Sequence, residues 1–192
     1  MRSCFFTGSD RQIIMKASLV AEELTRRYFD LPGDEWVRHP YGLYTQRDVH
    51  ESLHEPGVFA NVVMYERPLK EKGQRGRERR FGIILQDPNI LLTLLRSTCH
   101  DLWTLGLYIL THELVHITRF RKYGVDFFAD VSDRSKEEQV VHELTRDILR
   151  GTTAIDYVLE LYDKQVRWSV SDLPTHTKTM EVIKDADLRV SV

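Results

Sequence analysis

The chain has 192 residues, a mass of 22.6 kDa and a formal net charge of −2. It is 42% hydrophobic and 29% charged, a balance that excludes collagen-like, low-complexity and fully disordered chains and leaves enough apolar surface for one buried core. The near-neutral charge provides no overall field that would draw the chain to a polyanion.

Two cysteines, Cys4 and Cys99, do not make a disulfide framework and fit a reducing compartment. The first residues, Met1 to Gly8, hold too short an apolar run for a signal peptide. The longest apolar stretch, Leu102 to Leu110, is half the length of a membrane span. The expectation is a cytoplasmic protein with no membrane partner.

Ser9 and Gln12 have the spacing of a capping box, and Ile13, Ala17, Val20, Ala21, Leu24 and Tyr28 then recur at helical spacing. A first helix is expected from about Asp10 to Phe29, stopped by Leu31-Pro32-Gly33-Asp34. Residues 35–57 read as loops with a short helix near 46–54. Val58 to Tyr65 and Phe81 to Gln86 read as strands. Between them Arg67 to Arg80 carries seven basic residues against two glutamates. It reads as a solvated hairpin loop, or as a contact for an acidic partner. Without interleaved aromatics it is a poor nucleic-acid surface.

Asp87-Pro88-Asn89 opens a short helix from Ile90 to about Ser97. Asp101 caps a strongly apolar helix, Leu102 to about Lys122, closed by Tyr123-Gly124. A long helix follows from Ser132 or Asp133 to about Lys164, with Gly151 a weak point. From residue 166 the chain turns polar and β-prone. Residues 1–165 are expected to form a single domain, and 166–192 a late strand, a docked arm or a disordered tail.

The apolar helix contains Thr111-His112-Glu113-Leu114-Val115-His116, a His-Glu-x-x-His motif. Residues four apart share a helix face, so both imidazoles can reach one ion. Glu113 sits beside them and can address a water that the metal acidifies to a pKa of about 7. Polar groups inside an apolar helix are costly without a partner. Zinc in such a site needs a third protein ligand, and Glu137, Glu138, His142 and Glu143 on the following helix are candidates. Glu138 and His142 share a face. Glu137 and Glu143 point elsewhere and read as solvated charges.

Here the chain resembles the gluzincin-type zinc metallopeptidases over roughly residues 81–149. The resemblance is carried by His112-Glu113-x-x-His116 and by Glu138-Gln139-Val140-Val141-His142. It implies an α+β fold with a zincin-like core, an active-site helix, a second ligand-bearing helix and a small sheet. It further implies zinc as cofactor, His112, His116 and Glu138 as ligands, Glu113 as general base, and a peptide or protein substrate. His142 stands where the group often has Asn or Asp. It would polarise the substrate carbonyl or orient a ligand, or itself be the third ligand. In zincins an edge strand beside the active-site helix holds an extended peptide, and Phe81 to Gln86 or Val58 to Tyr65 would serve, with the basic stretch at one end of the cleft. The alternatives are a zincin-like regulatory module that binds zinc without turnover and a hydrolase acting on a non-peptide amide.

Weaker candidates are the adjacent Cys99-His100-Asp101, the surface histidines His39, His50 and His54, and Tyr123 and Tyr157 as oxyanion donors.

Overall fold

The computed structural model describes residues 5–68, 77–96, 101–150 and 182–184. The fold is mixed α and β. In chain order it comprises α1 (Gly8–Tyr28), α2 (Glu35–Arg38), β1 (Gly42–Thr45), two 3-10 turns (Gln46–Asp48 and Glu51–Leu53), β2 (Ala60–Pro68), β3 (Arg77–Leu85), α3 (Asp87–Arg96), α4 (Leu102–Lys122), α5 (Val131–Leu149) and β4 (Val182–Lys184).

The four strands form one sheet in the order β1-β3-β2-β4. β2 and β3 are an antiparallel hairpin with Ala60 opposite Leu85 and Pro68 opposite Arg77. β1 runs parallel to β3, and β4 parallel to β2. Alternation along β2 and β3 sends Val62, Ile83 and Leu85 into the main core with the helices. Val63, Tyr65 and Ile84 face the other way, into a small second core under Val49 and Leu53.

α4 is the central helix. Leu105, Leu110, Leu114, Val115 and Ile117 are at most 3% exposed, which accounts for an apolar pattern on nearly every side rather than along one stripe. Asp101 caps it by accepting from the Thr104 N–H at 2.7 Å. The buried Thr111 and Thr118 hydroxyls donate back to the carbonyls of Leu107 and Leu114, both at 2.8 Å. α1 packs closely along α4 at Gly106, where an added Cβ would lie 2.8 Å from the Ile14 side chain. The far end of α4 is tied down by Lys122 Nζ donating to the Phe29 carbonyl at 2.8 Å and by an Arg121–Glu35 ion pair at 3.1 Å.

A buried polar seam fixes the loop between β1 and β2. Gln86 is fully buried and donates to Asn61 Oδ1 at 2.9 Å and to the Leu53 carbonyl at 3.2 Å, while Glu55 N–H donates to its Oε1 at 3.2 Å. Asp87, also fully buried, accepts from the N–H groups of Phe6 and Gln46. Burial pushes its carboxyl up, and these backbone donors oppose the rise.

Several elements differ from the sequence reading. The α1 cap is Thr7 with Asp10, not Ser9 with Gln12: the Thr7 hydroxyl accepts from the Asp10 N–H, and Asp10 accepts from the Thr7 N–H at 2.8 Å. Both strands of the hairpin run further into the basic stretch than expected, and Arg77 and Arg79 reach Glu66 across it at 3.4 Å. β1 and α2 form where loop is expected. The helix expected near 46–54 is two 3-10 turns, and His54 is not a free surface residue, because its Nε2 lies 3.0 Å from the Gln46 carbonyl. α3 begins at Asp87, and α5 starts at Val131, capped by Asp130. Its expected continuation to Lys164, Gly151, the boundary at 165, Cys4, Cys99, His100 and Tyr157 lie outside the described residues. The β-prone tail supplies one described strand, β4. No described helix is long and apolar enough to cross a membrane.

Candidate metal centre

α4 and α5 lie side by side, joined by the turn at Tyr123-Gly124, where Gly124 takes φ +66°, and by the connection up to Asp130. A non-glycine residue adopts that left-handed conformation only with strain. The pairing brings the His-Glu-x-x-His face of α4 against the first turns of α5.

His112 Nε2 lies 3.4 Å from Glu138 Oε2, and His116 Nε2 lies 3.1 Å from Glu138 Oε1. One donor atom from each residue falls within 4.8 Å of the others. Zinc bonds of about 2.0–2.2 Å in a tetrahedral arrangement place neighbouring donor atoms roughly 3.4 Å apart. Two imidazoles and one carboxylate are also a donor set that suits zinc. Among the described residues His112, His116 and Glu138 are the group that fits a metal ion. The two rings are mutually perpendicular, with centroids 4.9 Å apart, so their nitrogens approach from different directions.

The histidine side chains are 15% and 7% exposed, whereas that of Glu138 is 59% exposed. Solvent therefore reaches the donor set from the α5 side. Crowding around the Glu138 carboxylate opposes ionisation, but the adjoining His116 and His112 overcome it by charge and hydrogen bond and hold the group well below the usual carboxylate range. On the far side of each ring, Nδ1 is buried and has no hydrogen-bond partner among the described residues. The tautomers are thus governed from the Nε2 side, where the carboxylate lies.

Glu113 is 7% exposed. Burial pushes its carboxyl up to about 7; the His112 charge opposes this, and the charges of Glu138 and Glu55 add to it. Glu55 reaches this neighbourhood because Gln86 and Asn89 hold its backbone.

His142 sits one turn beyond Glu138 but does not join the three converging donors. Its Nδ1 is 2.7 Å from the Tyr108 hydroxyl. Tyr108 is almost fully buried and its ring lies near-parallel to that of His112, with centroids 6.2 Å apart. Tyr108 is not among the residues expected at the site. Its signal was available: it stands four residues before His112, on the same helix face.

Glu137 is not a solvated charge. Its carboxylate takes a bidentate pair from Arg119, Nε to Oε1 at 2.5 Å and Nη2 to Oε2 at 2.8 Å, with side chains 19% and 12% exposed for Arg119 and Glu137. This pair clamps α4 one turn after His116 to α5 one residue before Glu138. Glu143 is exposed, as expected. His39 and His50 lie on the surface, and Tyr123 is 53% exposed.

Beside the donors opens a cleft of about 280 Å³, bounded by His116 and Glu138 and lined by Phe120, Val125, Phe127, Ala129 and Val140. Phe120 stacks on His116 at 5.8 Å and on Phe81 of β3 at 5.9 Å, so the aromatic wall runs from His116 to the sheet.

Comparison with known proteins finds no matching family model, no matching curated protein and no matching solved structure.

Proposed function

We propose that the protein is a zinc-dependent metallopeptidase that hydrolyses peptide bonds at the α4–α5 junction. The observation that carries this reading is the convergence of His112, His116 and Glu138 from two helices, with a buried carboxylate, Glu113, next to them on α4. Zinc held there would supply Lewis acidity toward a carbonyl and toward an attacking water.

The remaining work falls to the chain's own residues. Glu113 has a raised proton affinity, so it takes a proton from the attacking water and returns it to the leaving amine. Tyr108 Oη lies within hydrogen-bond distance of His142 Nδ1 and holds that ring one turn beyond Glu138. From there His142 would polarise the substrate carbonyl. The apolar cleft beside His116 receives a side chain of the substrate and orients the peptide against the donors. A purely structural zinc site is closed by four protein ligands. Three donors with an exposed side, backed by a buried glutamate, favour turnover over a silent regulatory module.

Elemental analysis of the purified protein tests the centre. One zinc per chain, lost in both His112→Ala and Glu138→Ala while the fold is retained, is the expected result. A folded protein that takes up no zinc when zinc is supplied would remove the reading.

A further inference from the structure

We infer that the cleft beside His116 is a specificity pocket for one aromatic side chain, so that the substrate is a peptide presenting phenylalanine or a similar aromatic residue next to the cleaved bond; the inference deepens the metallopeptidase reading and rests on it.

Two helices and their connection build the pocket. On α4, His112, His116 and Phe120 follow one another at four-residue spacing, so Phe120 continues the face of the two histidines by one turn. On α5, Asp133, Glu137 and Val140 share a face and border the same cleft. Val125, Phe127 and Ala129 close it from the connection. His116 and Glu138 are themselves part of the lining. An extended peptide advances only about 3.3 Å per residue. A side chain seated in the cleft therefore belongs to a residue flanking the bond that meets the ion. The volume, about 280 Å³, lies just below the range of roughly 300–1,000 Å³ that encloses a whole small-molecule ligand. It suits one large side chain and not a longer segment.

The walls select the guest. Phe120 and Phe127 meet edge to face with centroids 5.2 Å apart, and Phe81 backs them at 5.9 and 5.7 Å. Phe127 is buried and Phe120 also stacks on His116, so both rings are held in place by their own neighbours. An aromatic guest gains an offset or edge-to-face contact with them, about two- to tenfold in affinity beyond the area it buries. An aliphatic guest gains the area alone. The charged groups of the lining already serve one another or the backbone. Asp133 pairs with Lys136 at 2.8 Å, and Glu137 pairs with Arg119. Arg134 Nε donates to the Ala129 carbonyl at 2.8 Å, and Asp126 Oδ1 accepts from the Phe128 N–H at 2.9 Å. A charged guest would give up its water against groups engaged elsewhere, which disfavours it. At the mouth, Val140 is exposed, as are Phe128 and Val131 on the segment that closes the cleft, so the apolar surface continues outward along the path of entry.

The test uses the full chain supplied with zinc and, as probes, the N-acetyl amides of single amino acids, titrated while the amide signals of residues 120, 125, 127 and 140 are followed by NMR. The phenylalanine probe is expected to shift those signals and to bind about two- to tenfold more tightly than the leucine probe. Its advantage over the alanine probe is expected to be about tenfold or more, with the lysine and glutamate probes weaker than leucine. Ala129→Phe fills the cleft from the connection and is expected to lower the phenylalanine affinity about tenfold, with zinc content and the amide protection of α4 unchanged. Val140→Ala, at the exposed mouth, removes two methyl groups and is expected to weaken it about threefold. Shifts centred elsewhere, a leucine or lysine probe binding as tightly as phenylalanine, or an unchanged phenylalanine affinity in both variants would overturn the proposal. Two further outcomes separate it from the reading beneath it. Phenylalanine-selective binding in a folded chain that takes up no zinc supports the pocket and removes the metallopeptidase reading. A peptide library cleaved by the zinc form with no preference for a flanking aromatic residue keeps that reading and overturns the pocket.

Discussion

Glu113 and Glu138 are both carboxylates near two histidines, and their surroundings push them in opposite directions. Glu138 lies between the imidazoles and stays ionised; Glu113 is enclosed and holds its proton more readily. On the metallopeptidase reading, that divergence suits one carboxylate to the ion and the other to proton transfer. Glu113→Gln keeps the side chain's size in a buried position and removes only the titratable oxygen. It is expected to retain zinc and to lower kcat by about 10²–10⁴-fold, read from cleavage products of a peptide library identified by mass spectrometry. A variant cleaving at the native rate would take Glu113 out of the mechanism. At this scale the motif was legible because its spacing is local: one helix turn relates His112 to His116. Glu138, the residue that meets both histidines, was singled out only through the resemblance, since nothing in the spacing separates it from Glu137. The helix phase that makes Glu138 face the histidines appears once α5 is packed on α4.

The same packing explains why the roles of Glu137 and Glu138 are easily confused. Neighbouring residues on a helix point about 100° apart, so one carboxylate meets the histidines while the other meets Arg119. Arg119 and Glu137 stand 18 positions apart and on different helices, which is why single-helix spacing reads Glu137 as a solvated charge. A partly buried bidentate pair loses about 1–3 kcal/mol when one member is removed, because the other is left without its partner. Glu137→Ala is therefore expected to lower stability by about that amount and to weaken zinc binding only a few-fold, through a loosened α5. Arg119→Glu combined with Glu137→Arg should recover most of both losses. Calorimetric melting and zinc titration read the two effects, and a double variant as impaired as the worse single one would show that the clamp does not position Glu138. Helix boundaries were legible where caps are local, as at Asp101. β1 was not, because Gly42-Leu43-Tyr44-Thr45 follows Pro40 and becomes a strand only by pairing with β3. The ends of the hairpin were missed for a related reason: beyond the core, Glu66, Arg77 and Arg79 are held by each other across the strands, and charge on a strand reads as loop.

For the molecule as a whole, the donors come from two helices that differ in how firmly they are held. α4 is enclosed by α1, β2 and α5, whereas α5 is buried chiefly through Val141, Thr145, Ile148 and Leu149, beyond the turn that carries Glu138. The first turns of α5 are mostly exposed and depend on the Arg119 clamp and on whatever joins Glu138 to the histidines. An ion bound there cross-links the less-held element to the best-held one, and the unfolded chain has no such site. Ligand bound only by the folded state stabilises it by RT ln(1 + [L]/Kd), about 2.7 kcal/mol at a hundredfold excess over Kd. For a chain of this size that corresponds to a rise in Tm of about 5–10 °C. The expected outcome is a Tm that rises by this amount when zinc is added to chelator-treated protein, with little or no rise in Glu138→Ala. Amide exchange should show the added protection centred on residues 131–142, with α4 changing least, since α4 is already protected by its own burial. A zinc-dependent rise of equal size in Glu138→Ala would place the stabilising ion elsewhere in the molecule.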